Sequence, residues 1–320
     1  MQDLDFANLR ILIAGDLMLD SYGAGSVNRQ SPEAPVEILD LHQTEHRAGG
    51  AANVALNVAS LGALPVLTGL KGDDLEGKTM DLLLQRSGIS TDLLLTLASH
   101  TTTHKTRYLD GSRHLLRVDR ENMPHLSPAQ KEQQRILFEQ GMHQARAVVL
   151  QDYEKGYFTP ENIGGFLTLS REAGLPVAVD PKREHFWLYR GVDLFKPNFK
   201  ELETALATKI DDLPEACREA RSRLQCRILL VTLADKGICW LDDEGFGRLP
   251  AHPRRVVDVC GAGDSVVAAG ACALAAGLPT SVIASYANLC GGLACEYSGT
   301  HPVGWELLQS ALKAIPSDNT

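Results

Sequence analysis

The 320-residue sequence has no long apolar run, no block of basic residues and no cysteine pair spaced for metal binding. Its longest apolar run, residues 266–278, is rich in alanine and too short to cross a bilayer, so it predicts a packed helix. A formal net charge of −9 without lysine or arginine clusters argues against a nucleic-acid partner. All seven cysteines lie at or after Cys217, which favours reduced thiols over disulfides or zinc. The acidic first residues do not form a secretory signal, so we expect a cytoplasmic protein without a membrane partner.

From residue 128 onward, short apolar runs alternate with segments of helical periodicity. This rhythm predicts an α/β fold with a doubly wound, mostly parallel sheet and helices on both faces. Two insertions, residues 21–47 and 101–119, lack helical periodicity, and Asp110-Gly111 indicates a hairpin in the second. We expect a single domain over residues 1–320, with a small β lid built from these insertions.

Polar residues follow five of the predicted strands. They are Asp16, Asp152, Asp180, Asn198 and Thr232. In open parallel sheets, ligands bind outside the carboxyl ends of the strands, so these side chains are expected to gather at one site. Any one of them alone is more often a helix cap or a turn residue.

The stretch Val257–Asp264 places Gly261, Ala262 and Gly263 at a turn into a helix predicted over 265–276. Small residues allow close approach of a ligand, and the first amides of a helix attract an anion. Asp264 lies at the same turn and can act as a base while an alcohol attacks a phosphoryl group. The alternative is an ordinary turn with a solvated Asp264.

A second glycine pair, Gly49 and Gly50, precedes a helix that carries Asn53 in its first turns. Close backbone approach and a side-chain amide suit a polyol, although a tight turn with a capping amide explains them equally well. Lys105 and Arg107 alternate onto one face of a predicted strand, with Arg117 on its hairpin partner. A basic face of this kind suits a phosphorylated substrate, or is simply solvated.

These residues resemble the ribokinase-like, pfkB-type carbohydrate kinases over essentially the whole chain. Two signatures carry the resemblance, residues 49–53 and 258–264, in the expected order. Further segments are similar to the kinase module of bacterial heptose-phosphate kinases, namely residues 15–20, 31–36, 49–62, 152–156, 180–182 and 196–201. Those enzymes phosphorylate C1 of D-glycero-β-D-manno-heptose 7-phosphate, a step toward ADP-heptose for lipopolysaccharide. Some carry a nucleotidyltransferase domain, and we expect a kinase without one here.

The resemblance implies that Asp264 is the catalytic base and that Gly261, Ala262 and Gly263 form the anion hole. The implied sugar-binding residues are Asp16, Asp20, Gly49, Gly50, Asn53, Lys105, Arg107, Arg117, Asp152 and Lys182. The implied nucleotide-side residues are Asn198, Thr232, Lys236, Gly237, Gly261, Gly263, Asn288 and Gly292. ATP and Mg²⁺ are the implied cofactors, with Mg²⁺ near Asn198 and Glu201, partly through water. Whether a monovalent cation, K⁺, binds at Asp258 is an open alternative.

Two features depart from the family pattern. Cys260 stands where the family commonly has threonine, and residues 233–237 are less polar than usual.

Residues 36–41 read as a strand that is apolar on both faces, which predicts a homodimer through the lid.

Three rival functions remain open. They are another pfkB-type sugar kinase of the ribokinase, fructokinase or phosphofructokinase type, a nucleotide-binding protein without catalysis, and a nicotinamide dehydrogenase. The last is disfavoured because residues 15–20 do not spell Gly-x-Gly-x-x-Gly.

Overall fold

The structure, a computed structural model, describes residues 6–252 and 254–313. Its strands are β1 (Arg10–Gln30), β2 (Glu37–Gly50), β3 (Leu64–Gly72), β4 (Leu94–Leu97), β5 (Thr103–Asp110), β6 (Arg113–Arg120), β7 (Ala147–Gln151), β8 (Val177–Asp180), β9 (Leu194–Phe195), β10 (Ile228–Thr232), β11 (Ile238–Leu241) and β12 (Phe246–Leu249). Its α-helices are α1 (Ala51–Ser60), α2 (Leu75–Arg86), α3 (Pro128–Met142), α4 (Pro160–Glu172), α5 (Phe199–Leu206), α6 (Leu213–Leu224), α7 (Ala262–Ala275), α8 (Thr280–Ala294) and α9 (Trp305–Lys313). Within the described ranges, no helix is both long and apolar enough to cross a membrane.

The main sheet runs in the order β12-β11-β10-β9-β8-β7-β1-β3-β4. Neighbours from β10 to β4 are parallel, and only the β10–β11 and β11–β12 pairs are antiparallel. Helices cover both faces, which confirms the predicted doubly wound, mostly parallel α/β fold. The carboxyl ends of β7, β8, β9 and β10, and Asp16 where β1 leaves the main sheet, therefore lie along one edge, where the predicted polar residues meet.

Strand β1 passes from the main sheet into the lid. Its residues Arg10–Asp16 pair in parallel with β3, whereas Leu17–Gln30 pair antiparallel with β2. Residues Met18–Gly25 also pair in parallel with β5, which forms a hairpin with β6. The sequence predicted a strand over residues 10–14 alone. The chain stays extended beyond them because β2 and β5 flank it, which satisfies its backbone groups on both sides. The two insertions do meet in space as the lid.

Hydrophobic cores lie on both faces of the sheet. Alternation along β1 sends Ile11 and Ile13 to the core beneath α1, α7 and α8, and Leu12 and Ala14 to the core beneath α3, α4 and α6. All four side chains are fully buried, as expected for a parallel strand covered on both sides.

Several boundaries differ from the predictions. Helix α7 begins at Ala262, three residues earlier than predicted, so that Asp264 lies inside its first turn. Strand β4 was not predicted, because a short leucine-rich run does not distinguish a strand from a helix. The helical pattern of residues 303–314 predicts a last helix, and its end at Ala314 lies outside the described residues.

Candidate active site

The candidate site is organised by the first turn of α7. Gly261, its N-cap, has φ +76°, a left-handed conformation that favours glycine. A Cβ atom there would lie 2.8 Å from Asn53 Nδ2 and 3.0 Å from Thr300 Cγ2. No side chain caps α7, although the amide of Ala262 makes a long hydrogen bond of 3.3 Å to the Val259 carbonyl. The turn therefore keeps a half-exposed, dipole-polarised end that suits an anion.

Asp264 is buried in this turn and accepts three side-chain hydrogen bonds. Asn53 Nδ2 donates to Oδ2 at 2.7 Å, while Gln151 Nε2 and the Tyr153 hydroxyl donate to Oδ1 at 3.0 and 2.9 Å. Burial raises the pKa of Asp264 to about 7, against lowering contributions from Asn53, Tyr153 and Lys196 and a raising contribution from Asp180. A carboxyl group with such a pKa changes charge near neutral pH, as a general base requires.

A buried ion pair lies beside this turn. Lys196 Nζ is 3.1 Å from Asp180 Oδ1, and both residues are only 3% exposed. A Cβ atom on Gly263 would lie 3.6 Å from Lys196 Nζ, so the ammonium adjoins the start of α7. Gln151 joins the pair to Asp264, since its amide nitrogen also lies 3.1 Å from Asp180 Oδ2. A fixed positive charge here can stabilise negative charge that develops on a transferred group.

Sequence reasoning gave no role to Gln151, Tyr153 or Lys196. Gln151 ends β7 and Lys196 directly follows β9, so the strand-end argument could have found both. Tyr153 gave no such signal, because a hydroxyl two residues beyond a strand has no preferred direction.

Asp16 is occupied by main-chain amides. Its carboxylate accepts from the amides of Tyr153, Lys155 and Tyr157 at 2.7, 3.0 and 2.9 Å. Burial and the neighbouring Asp152 raise the pKa of Asp16 to about 6, while the three amides lower it. Asp16 thereby holds the loop that carries Tyr153 to Asp264, and its predicted contact with a sugar stays a prediction.

Asp152 faces the protein interior. It is fully buried and accepts from His185 Nδ1 at 2.8 Å, from the Tyr189 hydroxyl at 2.7 Å and from the Glu154 amide at 2.8 Å. The hydrogen bond to this carboxylate raises the pKa of His185. The geometry gives Asp152 a structural role, and its sugar contact stays a prediction.

The lid brings the predicted basic residues to one face. Lys105 and Arg107 pair with Asp20 and Tyr22 in the β1–β5 register, and Arg117 lies opposite Arg107 on β6. Arg107 Nη1 is 2.6 Å from Asp20 Oδ1, and the backbone of Gly49 approaches the other Asp20 oxygen closely. Gly50, with φ +60°, closes β2 against the carbonyl of Asp16 and starts α1. Arg107 therefore binds Asp20 beside Gly49 and lies over the ring of Tyr22.

The other two basic side chains are paired with acids of the lid. Lys105 Nζ lies 3.5 Å from Asp119 and 3.3 Å from Glu121, and Arg117 lies 2.6 Å from Asp119. A substrate phosphate would have to compete with these carboxylates for the two side chains.

Asn198 and Glu201 form a reciprocal capping box at the start of α5. Each side chain accepts from the other residue's amide at 2.8 Å. The second oxygen of Glu201 lies 2.5 Å from Lys182 Nζ, which also stands 4.9 Å above the Tyr153 ring. Asn198 bridges in parallel to Thr232, so the predicted strand-end residues do adjoin one another.

These residues fit an Mg²⁺ ion held mainly by water and nucleotide phosphate. The described part of the chain has no cluster of three or more His, Cys, Asp or Glu side chains that could hold a metal. Both oxygens of Glu201 already have partners, so a contact through water suits it better than direct ligation.

The remaining nucleotide-side residues lie beside residues 249–251 and Arg254. Gly237 has φ +87° and packs against the backbone of Leu249 to Ala251. Asn288 Nδ2 donates to the Pro250 carbonyl at 2.8 Å, and Gly292, one turn along α8, contacts Arg254. Lys236 is exposed at the neighbouring turn.

An anion-accepting helix start, a buried carboxylate of raised pKa and a buried lysine together define the site of an α/β phosphotransferase. The profile of the pfkB family of carbohydrate kinases matches residues 13–306, and the chain belongs to this family. It is therefore a carbohydrate kinase, and kinases of this family use ATP with Mg²⁺.

The chain is similar to the kinase part of bifunctional HldE proteins. It is 38% identical over 315 residues to the Magnetococcus marinus protein, which covers 96% of this chain and 64% of the relative. It is 39% identical over 312 residues to the Rhodopseudomonas palustris protein, which covers 96% and 63%. The chain thus spans less than two thirds of the length of these relatives.

Solved structures confirm the ribokinase-like fold. Escherichia coli phosphofructokinase-2, solved in complex with potassium, superposes with a TM-score of 0.78 at 21% identity and covers 94% of this chain and 97% of its own. Arabidopsis thaliana ribokinase, solved with ribose and ATP, gives 0.76 at 19% identity and covers 96% and 99%. At these identities the likeness establishes the fold.

Proposed function

We propose that this carbohydrate kinase phosphorylates C1 of D-glycero-β-D-manno-heptose 7-phosphate with ATP. The observation that carries the chemistry is the Asp264 carboxylate, buried in the first turn of α7 with a pKa raised to about 7 by burial. The sugar assignment is supported by the segments shared with heptose-phosphate kinases and by 38% identity to an HldE protein.

In the proposed reaction, Asp264 takes the proton of the C1 hydroxyl as its oxygen attacks the γ-phosphorus of ATP. The C1 oxygen–phosphorus bond forms, the bond to the β,γ-bridging oxygen breaks, and ADP leaves. Gly261, Gly263 and the Lys196 ammonium stabilise the negative charge of the transferring group. Each preorganised donor of this kind is typically worth about 3–4 kcal/mol in the transition state. Mg²⁺, bound with ATP, would neutralise phosphate charge near Asn198 and Glu201.

Residues 1–320 are proposed to act as one kinase unit, in which the lid holds the sugar. Asp20 and Asn53 lie where sugar hydroxyls would be bound, next to Gly49 and Asp264. Arg107, bound to Asp20, is the lid cation that the 7-phosphate would reach, with Lys105 and Arg117 on the same face. All three cations are paired with carboxylates, so the 7-phosphate would have to displace or share those partners through charge-assisted hydrogen bonds.

The sugar assignment is tested by measuring ADP release with a panel of acceptors. Heptose 7-phosphate is expected to give the highest kcat/KM, ahead of ribose, fructose and fructose 6-phosphate. A higher kcat/KM for one of the other sugars would assign the chain to another branch of the family. Absence of turnover on every sugar would favour a nucleotide-binding protein that has lost catalysis.

The chemical assignment is tested by Asp264→Asn, which keeps the shape and removes the base. It is expected to lower kcat by roughly 10²–10⁴-fold with both substrates saturating. Retention of the wild-type kcat would overturn the role of Asp264. Asp211→Asn is the matched control, since the side chain of Asp211 is 85% exposed and its ion-pair partner is Lys209 rather than a residue of the site.

A further inference from the structure

One lid arginine reaches across to the loop that supports the anion turn. Arg47, near the end of β2, donates through Nη1 to the carbonyl oxygens of Ser298 and Thr300, the latter at 3.5 Å. Its other nitrogens bind Glu45 at 2.7 and 3.1 Å, which fixes the plane of the guanidinium. The Arg47 side chain is 22% exposed, and its contact with Ser298 lies at the surface whereas that with Thr300 is partly buried.

The loop that Arg47 holds is tied directly to the anion turn. The amide of Gly299 donates to Asp258 Oδ2 at 2.8 Å, and the amide of Cys260 donates to Asp258 Oδ1 at 3.0 Å. A Cβ atom on Gly261 would press on Thr300. A continuous path of contacts therefore runs from Arg47 through the 298–300 loop to the start of α7.

Asp258 is also the residue at which the sequence analysis allowed a bound monovalent cation, without deciding whether one is present. Such an ion beside Asp258 would need carbonyl oxygens of the surrounding loop as ligands, because K⁺ is bound in proteins by backbone carbonyls. Two of those carbonyls face Arg47 instead, and both oxygens of Asp258 face main-chain amides. Arginine is always protonated, so a second cation at these oxygens would meet a fixed like charge. The residues present do not fit K⁺.

We infer that Arg47 supplies from the lid the positive charge that a free monovalent cation would otherwise supply at the 298–300 loop, so that this kinase works without added K⁺. Arg47 is then a positioning residue, since it acts on the anion turn through Gly299 and Asp258 and touches no reacting atom. The inference rests on membership of the kinase family and not on the identity of the sugar.

The first test is direct cation binding, read as the thermal midpoint in KCl, NaCl and tetramethylammonium chloride at one ionic strength. A ligand that binds only the folded state raises the midpoint by mass action. The wild type is expected to give the same midpoint in all three salts. A rise specific to K⁺ would overturn the inference, whichever sugar the enzyme uses.

The second test measures kcat and the binding of a non-hydrolysable ATP analogue with Mg²⁺ in the same salts. Coupling between sites typically changes affinity by about 5–150-fold. If kcat and the analogue affinity of the wild type in KCl differ by less than about twofold from those in the other salts, K⁺ is not coupled to the site. Arg47→Ala frees both carbonyls and is expected to lower kcat and to acquire a K⁺ stimulation of about fivefold or more. Added guanidinium ion is expected to restore part of the lost kcat.

The matched control is Arg113→Ala, which removes another lid arginine, 55% exposed and paired with Glu37. It is expected to keep the wild-type kcat and its indifference to K⁺. A folded Arg47→Ala variant with unchanged kcat in every salt would refute the positioning role. If Arg47→Ala does not fold, the wild-type comparison decides, because K⁺ activation of the wild type by more than about twofold contradicts the inference.

Discussion

The raised pKa of Asp264 predicts that ionisation of this carboxyl group, the proposed base, destabilises the folded kinase near and above neutral pH. The folded chain holds this pKa at about 7 through burial, against 3.8 for an unperturbed aspartate. The neutral carboxyl is therefore favoured by folding. Its stabilising contribution is fully present below about pH 4 and is lost as the pH rises to about 7.

The size of the effect follows from those two values. Each pH unit between them changes the free energy of unfolding by about 1.4 kcal/mol, which gives about 4 kcal/mol over the whole range. About 2 kcal/mol of this falls between pH 5.5 and 8.5, where the protein can be handled. With an unfolding entropy of about 2 cal/mol/K per residue, 2 kcal/mol corresponds to about 3 °C in the thermal midpoint.

The assay compares the wild type with Asp264→Asn by thermal unfolding at a series of pH values without nucleotide. The asparagine does not titrate, so the variant is expected to gain about 3 °C relative to the wild type from pH 5.5 to 8.5. The change with pH in the difference between the two thermal midpoints reports the ionisation of Asp264, whereas the absolute difference does not. An asparagine amide facing one of the three donors to Asp264 costs stability equally at every pH.

Curves that run parallel for the wild type and Asp264→Asn would refute the reasoning. They would mean that the carboxylate ionises in the folded chain as easily as in the unfolded one. Asp211→Asn serves as the control again and is expected to run parallel to the wild type, because that side chain is 85% exposed. The same variant that gains stability at high pH is the one expected to lose kcat, a trade-off typical of buried catalytic groups.

Two further predictions concern the base and the lid. Tyr153→Phe removes the hydroxyl that donates to Asp264 at 2.9 Å, which is expected to raise the pKa of Asp264. The acidic limb of the pH profile of kcat/KM should then move to higher pH. An unchanged limb would exclude a role of Tyr153 in setting this pKa. Leu116 and Val118 are 59% and 46% exposed on β6, and we expect a homodimer through this face. Leu116→Glu should then sediment as a monomer at micromolar concentration, and a monomeric wild type would contradict the proposal.

The predicted fold followed from local patterns. Alternating apolar runs and helical periodicity indicated the parallel sheet, and Asp110-Gly111 indicated the β5–β6 hairpin. These features are local because side-chain direction repeats every two residues in a strand and every 3.6 residues in a helix. The length of β1 was not predictable in this way, since its second half is extended only because β2 and β5 lie on either side.

The sequence by itself determined the family and directed attention to Asp264 in the candidate site. Gly261-Ala262-Gly263-Asp264 specifies a helix start with a carboxylate in one local stretch. Tertiary structure alone decided the chemistry of that carboxylate. Its donors Asn53, Gln151 and Tyr153 lie 211, 113 and 111 residues away in the chain. Desolvation depends on what packs around a group, which no local pattern encodes. The same holds for Arg47, whose partners at Ser298 and Thr300 are set by the packing of the lid.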